Sequence, residues 1–251
     1  DSGIVNGVPA DEVEKAFGTY VTLLERGCGI DFGRKAMAGF FDKVEKFEAA
    51  DTSTNVFEFF EEMVPKYFYD PNSPVRNEDL YLPYVSRLAV SDYVDPDMKP
   101  AYDHDAQMCS LNMIGSPAAD FTFTDLGGKR HTLYGVKAET TLLFFTNPGC
   151  PACKEIIESL TSDGKIADLV ASGRLAVVNV YIDEELDKWR ENASIYPKNW
   201  YNGYDQSYII RSDVTYNVRA IPSLYVLDSE KKVIMKDAPV ENVLPYLDNL
   251  K

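Results

Sequence analysis

Two cysteines set two residues apart, in Cys150-Pro151-Ala152-Cys153, are the residues whose type and spacing bear chemistry. An apolar run, Thr141-Leu142-Leu143-Phe144-Phe145, ends just before them and reads as a buried strand. A helical pattern follows, with Ile156, Ile157, Leu160, Ile166 and Leu169. Cys150 therefore sits at or just before a helix start, with Pro151 in the first turn, where its missing N–H costs nothing. Unpaired N–H groups and the helix dipole favour an anion there. They raise the thiolate fraction of Cys150. Cys153 lies one turn on, close enough to attack a mixed disulfide formed at Cys150. Thiol–disulfide exchange suits this arrangement, and an inert disulfide is the bland alternative. Lys154 either adds positive charge at the site or is a solvated helix residue. A zinc centre needs four ligands, and His104 and His131 fall outside any C-x2-C…H-x3-H spacing. No metal is expected, and both histidines read as surface or hairpin residues.

The elements that must position this pair occupy residues 112–251. Gly115-Ser116-Pro117 opens them. Phe121-Thr122-Phe123, Asp125-Leu126-Gly127-Gly128 and His131-Thr132-Leu133 read as a β-hairpin around a glycine turn. The cysteine helix is expected to run to Ser172-Gly173. A Val-rich strand follows, Leu175 to Ile182, and Asp183 is expected to cap a helix through Leu186 and Trp189. Residues 192–213 are irregular and aromatic, with Tyr196, Trp200, Tyr201, Tyr204 and Tyr208 packing on the sheet or lining a groove. Strands at Leu224–Leu227 and Val233–Met235 and a helix from about Val240 to Leu250 complete an α/β order.

Residues 1–111 read differently, as a small all-helical domain behind a loose lead-in at 1–10. Apolar residues recur at three and four in segments starting near Asp11, Asp31, Asp51 or Thr52, Ser73-Pro74 and Asp95-Pro96. Pro65 is expected to bend or shorten the third helix. The Phe and Tyr stripes are core rather than a cofactor box.

The 251 residues carry a formal charge of −15, which argues against a nucleic-acid surface and against anionic lipid. The excess is uneven: 10 Lys/Arg face 21 Asp/Glu in residues 1–111, against 15 and 19 in the remainder. Solubility explains this, or a basic partner for the first segment. No apolar run approaches the ~20 residues that span a bilayer. The chain begins at Asp1 rather than Met, so an export segment is expected to have been removed. Cys28 and Cys109 read as buried thiols, with a Cys28–Cys109 bridge as the alternative.

The order of elements in residues 113–251, with their motifs, resembles the thioredoxin-like superfamily, in particular its TlpA/ResA-like envelope branch. Gly115-Ser116-Pro117-Ala118-Ala119-Asp120-Phe121 is similar to the branch's opening segment. Phe144 to Lys154 is similar to its active-site strand, turn and helix. Tyr216-Asn217-Val218-Arg219-Ala220-Ile221-Pro222-Ser223 is similar to the segment carrying its cis-proline, and Leu224 to Asp228 to the strand after it. The expected fold is thus a thioredoxin-like α/β fold, a central mixed sheet flanked by helices, preceded by a small all-α domain. The resemblance implies Cys150 as nucleophile, Cys153 as resolving thiol, and Ile221 and cis-Pro222 as substrate-facing backbone. Gly149, Pro151 and Ala152 complete the active-site loop. It implies no cofactor beyond the redox-active cysteine pair. The implied partners are protein thiols or disulfides and a redox partner, in the bacterial periplasm or cell envelope, with a membrane tether through the removed segment. Two departures stand out. Gly149 replaces the tryptophan common before the first cysteine and opens its rim, and Phe144 and Phe145 occupy the strand where many thioredoxins bury an acid. A peroxiredoxin motif is absent. The reading from another class is a binding or scaffold protein whose redox pair is vestigial. The first 110 residues resemble uncharacterised helical domains that precede such modules in bacterial envelope proteins.

Overall fold

The computed structural model describes residues 3–27 and 29–250. Two compact units make up the chain, one ending at Ser110 and the other beginning at Leu111.

The first unit is helical. A short hairpin, β1 (Ile4–Val5) and β2 (Val8–Pro9), stands where a loose lead-in is expected. It leads into α1 (Ala10–Gly27), α2 (Ile30–Ala50), α3 (Val56–Phe68), α4 (Glu78–Leu88) and α5 (Lys99–Ser110). Apolar residues at helical spacing turn one stripe of each helix inward. Phe17, Val21, Met37, Phe41, Phe57, Phe68, Tyr84 and Leu88 share one buried cluster with Cys109. At Gly33 a Cβ would come within 2.5 Å of Leu80 Cδ2, so the Leu80 side chain of α4 packs directly on the backbone of α2 there. Three expectations shift. Asp51 spends its carboxylate on Ser53 in a turn, and α3 starts only at Val56. Ser73 donates to the Tyr67 carbonyl instead of opening a helix; α4 starts four residues past Pro74, where the Asn77 side chain accepts the Leu80 N–H. Pro65 lies within α3 without ending it. The Cys28 thiol and any bridge it makes lie outside the described residues.

The second unit is a sheet covered on both faces. Its strands are β3 (Thr122–Asp125), β4 (Arg130–Thr132), β5 (Thr140–Phe145), β6 (Leu175–Tyr181), β7 (Tyr201–Tyr204), β8 (Ser223–Leu227) and β9 (Val233–Met235). Among the described residues they form one mixed sheet in the order β4-β3-β7-β6-β5-β8-β9. β5 is central, parallel to β6 and antiparallel to β8, and all six of its residues are buried. Burial on both faces is why its sequence is a continuous apolar run rather than an alternation. Leu142 and Phe144 face a layer with α6 (Pro151–Ser162), α7 (Gly164–Ala171), α8 (Leu186–Asn192) and α10 (Val240–Asp248). Leu143 and Phe145 face the other side, with Phe121, Tyr216, Tyr225 and Ile210 of the short α9 (Ile209–Ser212).

Three details differ from the expected elements here. The cysteine helix breaks at Asp163, whose side chain accepts the Lys165 and Ile166 N–H groups and starts α7 afresh. Asp183 caps nothing: α8 begins at Leu186 with no side-chain cap. The aromatic stretch 192–213 contains β7, which joins β6 to β3. β7 has no apolar–polar alternation to announce it. Its Gly203 exists because a Cβ there would meet Phe123 Cδ2 at 2.7 Å and the Thr124 carbonyl at 2.8 Å.

Candidate active site

The site grows out of the C-terminal end of β5. Thr146, the next residue, is fully buried and anchored sideways. Its hydroxyl donates to Asn179 Oδ1 of β6 and lies 3.1 Å from the Tyr196 hydroxyl. Asn179 Nδ2 donates to Asn202 Oδ1 of β7 at 3.0 Å, and Asn202 Nδ2 donates to the Pro197 carbonyl at 2.7 Å. Buried polar groups are stable only when paired, and this chain pairs them across three elements. Asn147 then shapes the turn. Its Oδ1 accepts the Gly149 N–H at 2.9 Å, its carbonyl accepts the Cys150 N–H at 3.0 Å, and its Nδ2 donates to Asp183 Oδ2 at 3.0 Å. The other oxygen of Asp183 takes Arg211 at 2.6 Å. The polypeptide is thereby delivered to Cys150 in an extended conformation, φ −89° and ψ 115°, as the N-cap of α6.

Cys150 is half-buried, and its Sγ accepts the Cys153 N–H at 3.2 Å. That is the bond an N-cap side chain makes, and a sulfur holding negative charge strengthens it. Pro151 occupies the first turn. Gly149, Pro151 and Ala152 are exposed, so the outer rim of Cys150 is open. Cys153 is fully buried among Leu142, Phe144, Ile156 and Ile157. Burial pushes its thiol well above the ordinary cysteine range, and the adjacent Cys150 adds to the shift. Tyr196 is likewise held neutral by burial, with both cysteine sulfurs acting in the same direction.

Pro222 comes from the far side. The Ile221–Pro222 peptide is cis, and β8 begins at Ser223, directly opposite Phe145. The proline therefore flanks the end of β5, and the Ile221 carbonyl lies 3.8 Å from Cys150 Sγ. Ile221 and Pro222 are both half-buried.

The remaining residues fall away from this cluster. Lys154 is exposed and pairs with Glu158 at 3.8 Å, a solvated pair on α6. His131 bonds Asp125 across the β3–β4 hairpin at 2.9 Å. Tyr196, Trp200 and Tyr204 pack in the core, while the exposed Tyr201 lines an open groove with His131 and Arg190. Among the described residues no three His, Cys, Asp or Glu side chains come together as a metal would need, and no helix is long and apolar enough to cross a membrane.

A solved structure of a thioredoxin-like protein from Bacteroides caccae superimposes with a TM-score of 0.84 at 35% identity, covering 94% of this chain and 83% of that one. This chain belongs to the thioredoxin-like family. About half of this chain is similar to the C-terminal domain of an uncharacterized protein from Bacteroides fragilis. That match has 45% identity and a TM-score of 0.52, and spans 54% of this chain and 97% of that one. A conserved protein of unknown function from the same species matches at 33% identity and a TM-score of 0.52, over 54% and 98%. Residues 9–112 match a family described as a domain of unknown function, DUF5106. No curated protein matches the chain.

What the motifs of this thioredoxin-like chain do not announce is the scaffolding around the sulfurs. Thr146, Asn147, Asn179, Asp183, Tyr196 and Arg211 meet there from four segments. The Asn147-Pro148-Gly149 stretch carries the one signal available, since asparagine two residues before glycine builds an Asx turn.

Proposed function

We propose that this thioredoxin-like protein is a thiol–disulfide oxidoreductase in which Cys150 attacks and Cys153 resolves. The observation that carries the reading is the asymmetry of the pair. Cys150 Sγ sits at a helix start, accepts the Cys153 N–H at 3.2 Å and is half-open to solvent, while Cys153 is enclosed. Reactivity follows thiolate character and access, which favours Cys150 for the first attack. Its thiolate forms a bond to one sulfur of the substrate disulfide and displaces the other as a thiolate. Cys153 then attacks the Cys150 sulfur, releasing the second substrate thiol and closing the Cys150–Cys153 disulfide. Two electrons pass from the protein dithiol to the substrate, and the protons lost by the protein thiols end on the substrate thiols. Cys153 gives up its proton only at the second step, in keeping with a thiol that burial holds protonated.

The proposed substrates are protein disulfides or, in the reverse direction, protein thiols, with a separate redox partner restoring the pair; no other cofactor is required. An extracytoplasmic site, the periplasm or cell envelope with an N-terminal tether, rests on the resemblance to the TlpA/ResA-like branch, and cell fractionation tests it. Cys150→Ser is expected to abolish turnover of a small disulfide by the reduced protein. Undiminished turnover by that variant sinks the assignment.

A further inference from the structure

The segment facing the sulfurs, Ala220-Ile221-Pro222, lies outside any helix or strand, and Ile221 and Pro222 keep part of their surface open. Both of its flanks bond to the same side chain. Ser223 Oγ, fully buried, donates to Asp237 Oδ1 at 2.7 Å. Arg219 donates to Asp237 Oδ2 at 3.3 Å. The ion pair is nearly enclosed, with 12% of the arginine side chain and 7% of the aspartate exposed. Asp237 itself follows β9 at φ +42°, in the left-handed region that Asp tolerates better than most residues. Its neighbour Ala238 donates its N–H to the Leu224 carbonyl at 3.0 Å, which holds the aspartate against β8.

We infer that Asp237, through Ser223 and Arg219, is a positioning residue that sets the substrate-facing backbone at Ile221 and Pro222. The inference rests on the exchange reaction proposed above. Taking a carboxylate and a guanidinium out of water is costly, and an apolar filling of the same volume is often as stable. The pair does what an apolar filling would not: it fixes two points on either side of a three-residue bridge, from inside, while the outer surface stays free. The Ile221 carbonyl is thereby held 3.8 Å from Cys150 Sγ, where a substrate backbone passing the nucleophile would run. Because Arg219 neutralises Asp237, the clamp puts no net charge beside the sulfurs. It acts mainly on where a peptide lies and adds no charge that would tune Cys150.

Substrates that need the backbone are therefore separable from those that do not. The full-length reduced protein is assayed with a disulfide-linked peptide dimer and with 5,5′-dithiobis(2-nitrobenzoate), which has no backbone to align. Ser223→Ala cuts the tie on one flank, and the double variant Arg219→Gln with Asp237→Asn cuts the ion pair on the other without leaving a net charge, so either suffices if the other fails to fold. With a folded variant the peptide kcat/KM is expected to fall roughly tenfold, mainly through KM, while the small-disulfide rate stays within about twofold of wild type. A peptide KM that does not move in a folded variant overturns the clamp, and so does a parallel fall with both substrates. Wild-type protein that turns over neither substrate sinks the exchange reading and this inference with it. Wild-type turnover with unmoved variants sinks this inference alone.

Discussion

Asn147→Asp tests how the active-site turn is held. The substitution keeps the shape of the side chain and keeps Oδ1, which accepts the Gly149 N–H at 2.9 Å. It replaces Nδ2, which donates to Asp183 Oδ2 at 3.0 Å, with a second carboxylate oxygen. Loss of a hydrogen bond to a charged group costs about 1.5–3 kcal/mol. Two carboxylates settling about 4 Å apart at an effective dielectric near 20 repel by about 4 kcal/mol. Arg211, 2.6 Å from the other oxygen of Asp183, offsets about half of that, since its side chain is 52% exposed and screened by water. The expected net loss at neutral pH is about 3.5–5 kcal/mol, of which about 2 is repulsion. In the variant the folded state holds a proton on the carboxyl pair more tightly than the unfolded state does. The repulsive part is therefore absent below the ordinary carboxylate range and grows as pH rises through the raised value of the pair. Urea unfolding of wild type and variant at pH 4 and pH 7.5 reads this directly. At the acid pH a proton on the pair can take over the donation that Asn147 makes to Asp183, so the variant should lie closer to wild type there and well below it at the neutral pH. Its reaction with a small disulfide at pH 7.5 should also slow, because the new charge sits beside Gly149 and Cys150. A stability difference that is the same at both pH values refutes the Asn147–Asp183 link.

Other consequences follow from the same contacts. Lys231 is buried, and its ammonium donates to Thr141 Oγ1 at 2.8 Å; burial, then the charge of Lys137, holds it below the usual lysine range. The unfolded state thus binds this proton more tightly, so the cost is present at neutral pH and fades as pH rises between the folded and unfolded values. Lys231→Met should raise the denaturation midpoint at pH 7 and flatten its rise toward pH 10, and an unchanged pH dependence counts against this. Gly203→Ala drives a methyl into Phe123 and the Thr124 carbonyl and should cost about 1–3 kcal/mol by denaturant melt; a neutral result means β7 and β3 are not as close as described.

The chemistry-bearing parts were the most legible in the sequence, because each has a local signal. An apolar run buried on two faces, a proline one residue into a helix and an Ile-Pro-Ser step before a strand can be read without knowing their neighbours. β7 could not be read that way. Tyr201 to Tyr204 has no periodicity, and its place is set by Gly203 fitting against Phe123, some eighty positions earlier in the chain. The helices start at 56 and 78 rather than at the good caps Asp51 and Ser73, because those side chains find closer partners. The same reason hid Asp183 and Asp237. Asp183 reads as a capping acid and Asp237 carries no local signal, and each is recruited by groups that only the fold brings near: Asn147 and Arg211 for one, Ser223 and Arg219 for the other. The strand lacks a buried acid at Phe144, and Asp183 is the carboxylate that meets the turn in its stead.

The central claim is that Cys150 and Cys153 form a working redox couple, and equilibrating the protein with glutathione buffers of graded ratio tests it most directly. The fraction of Cys150–Cys153 disulfide, read by thiol alkylation and mass, should follow one reversible two-electron transition, tenfold in the equilibrium constant for each ~30 mV. Cys150→Ser should remove that transition. A pair that stays wholly reduced or wholly oxidised at every ratio, with no exchange in either direction, contradicts the account and leaves a thioredoxin-like scaffold with an idle CxxC.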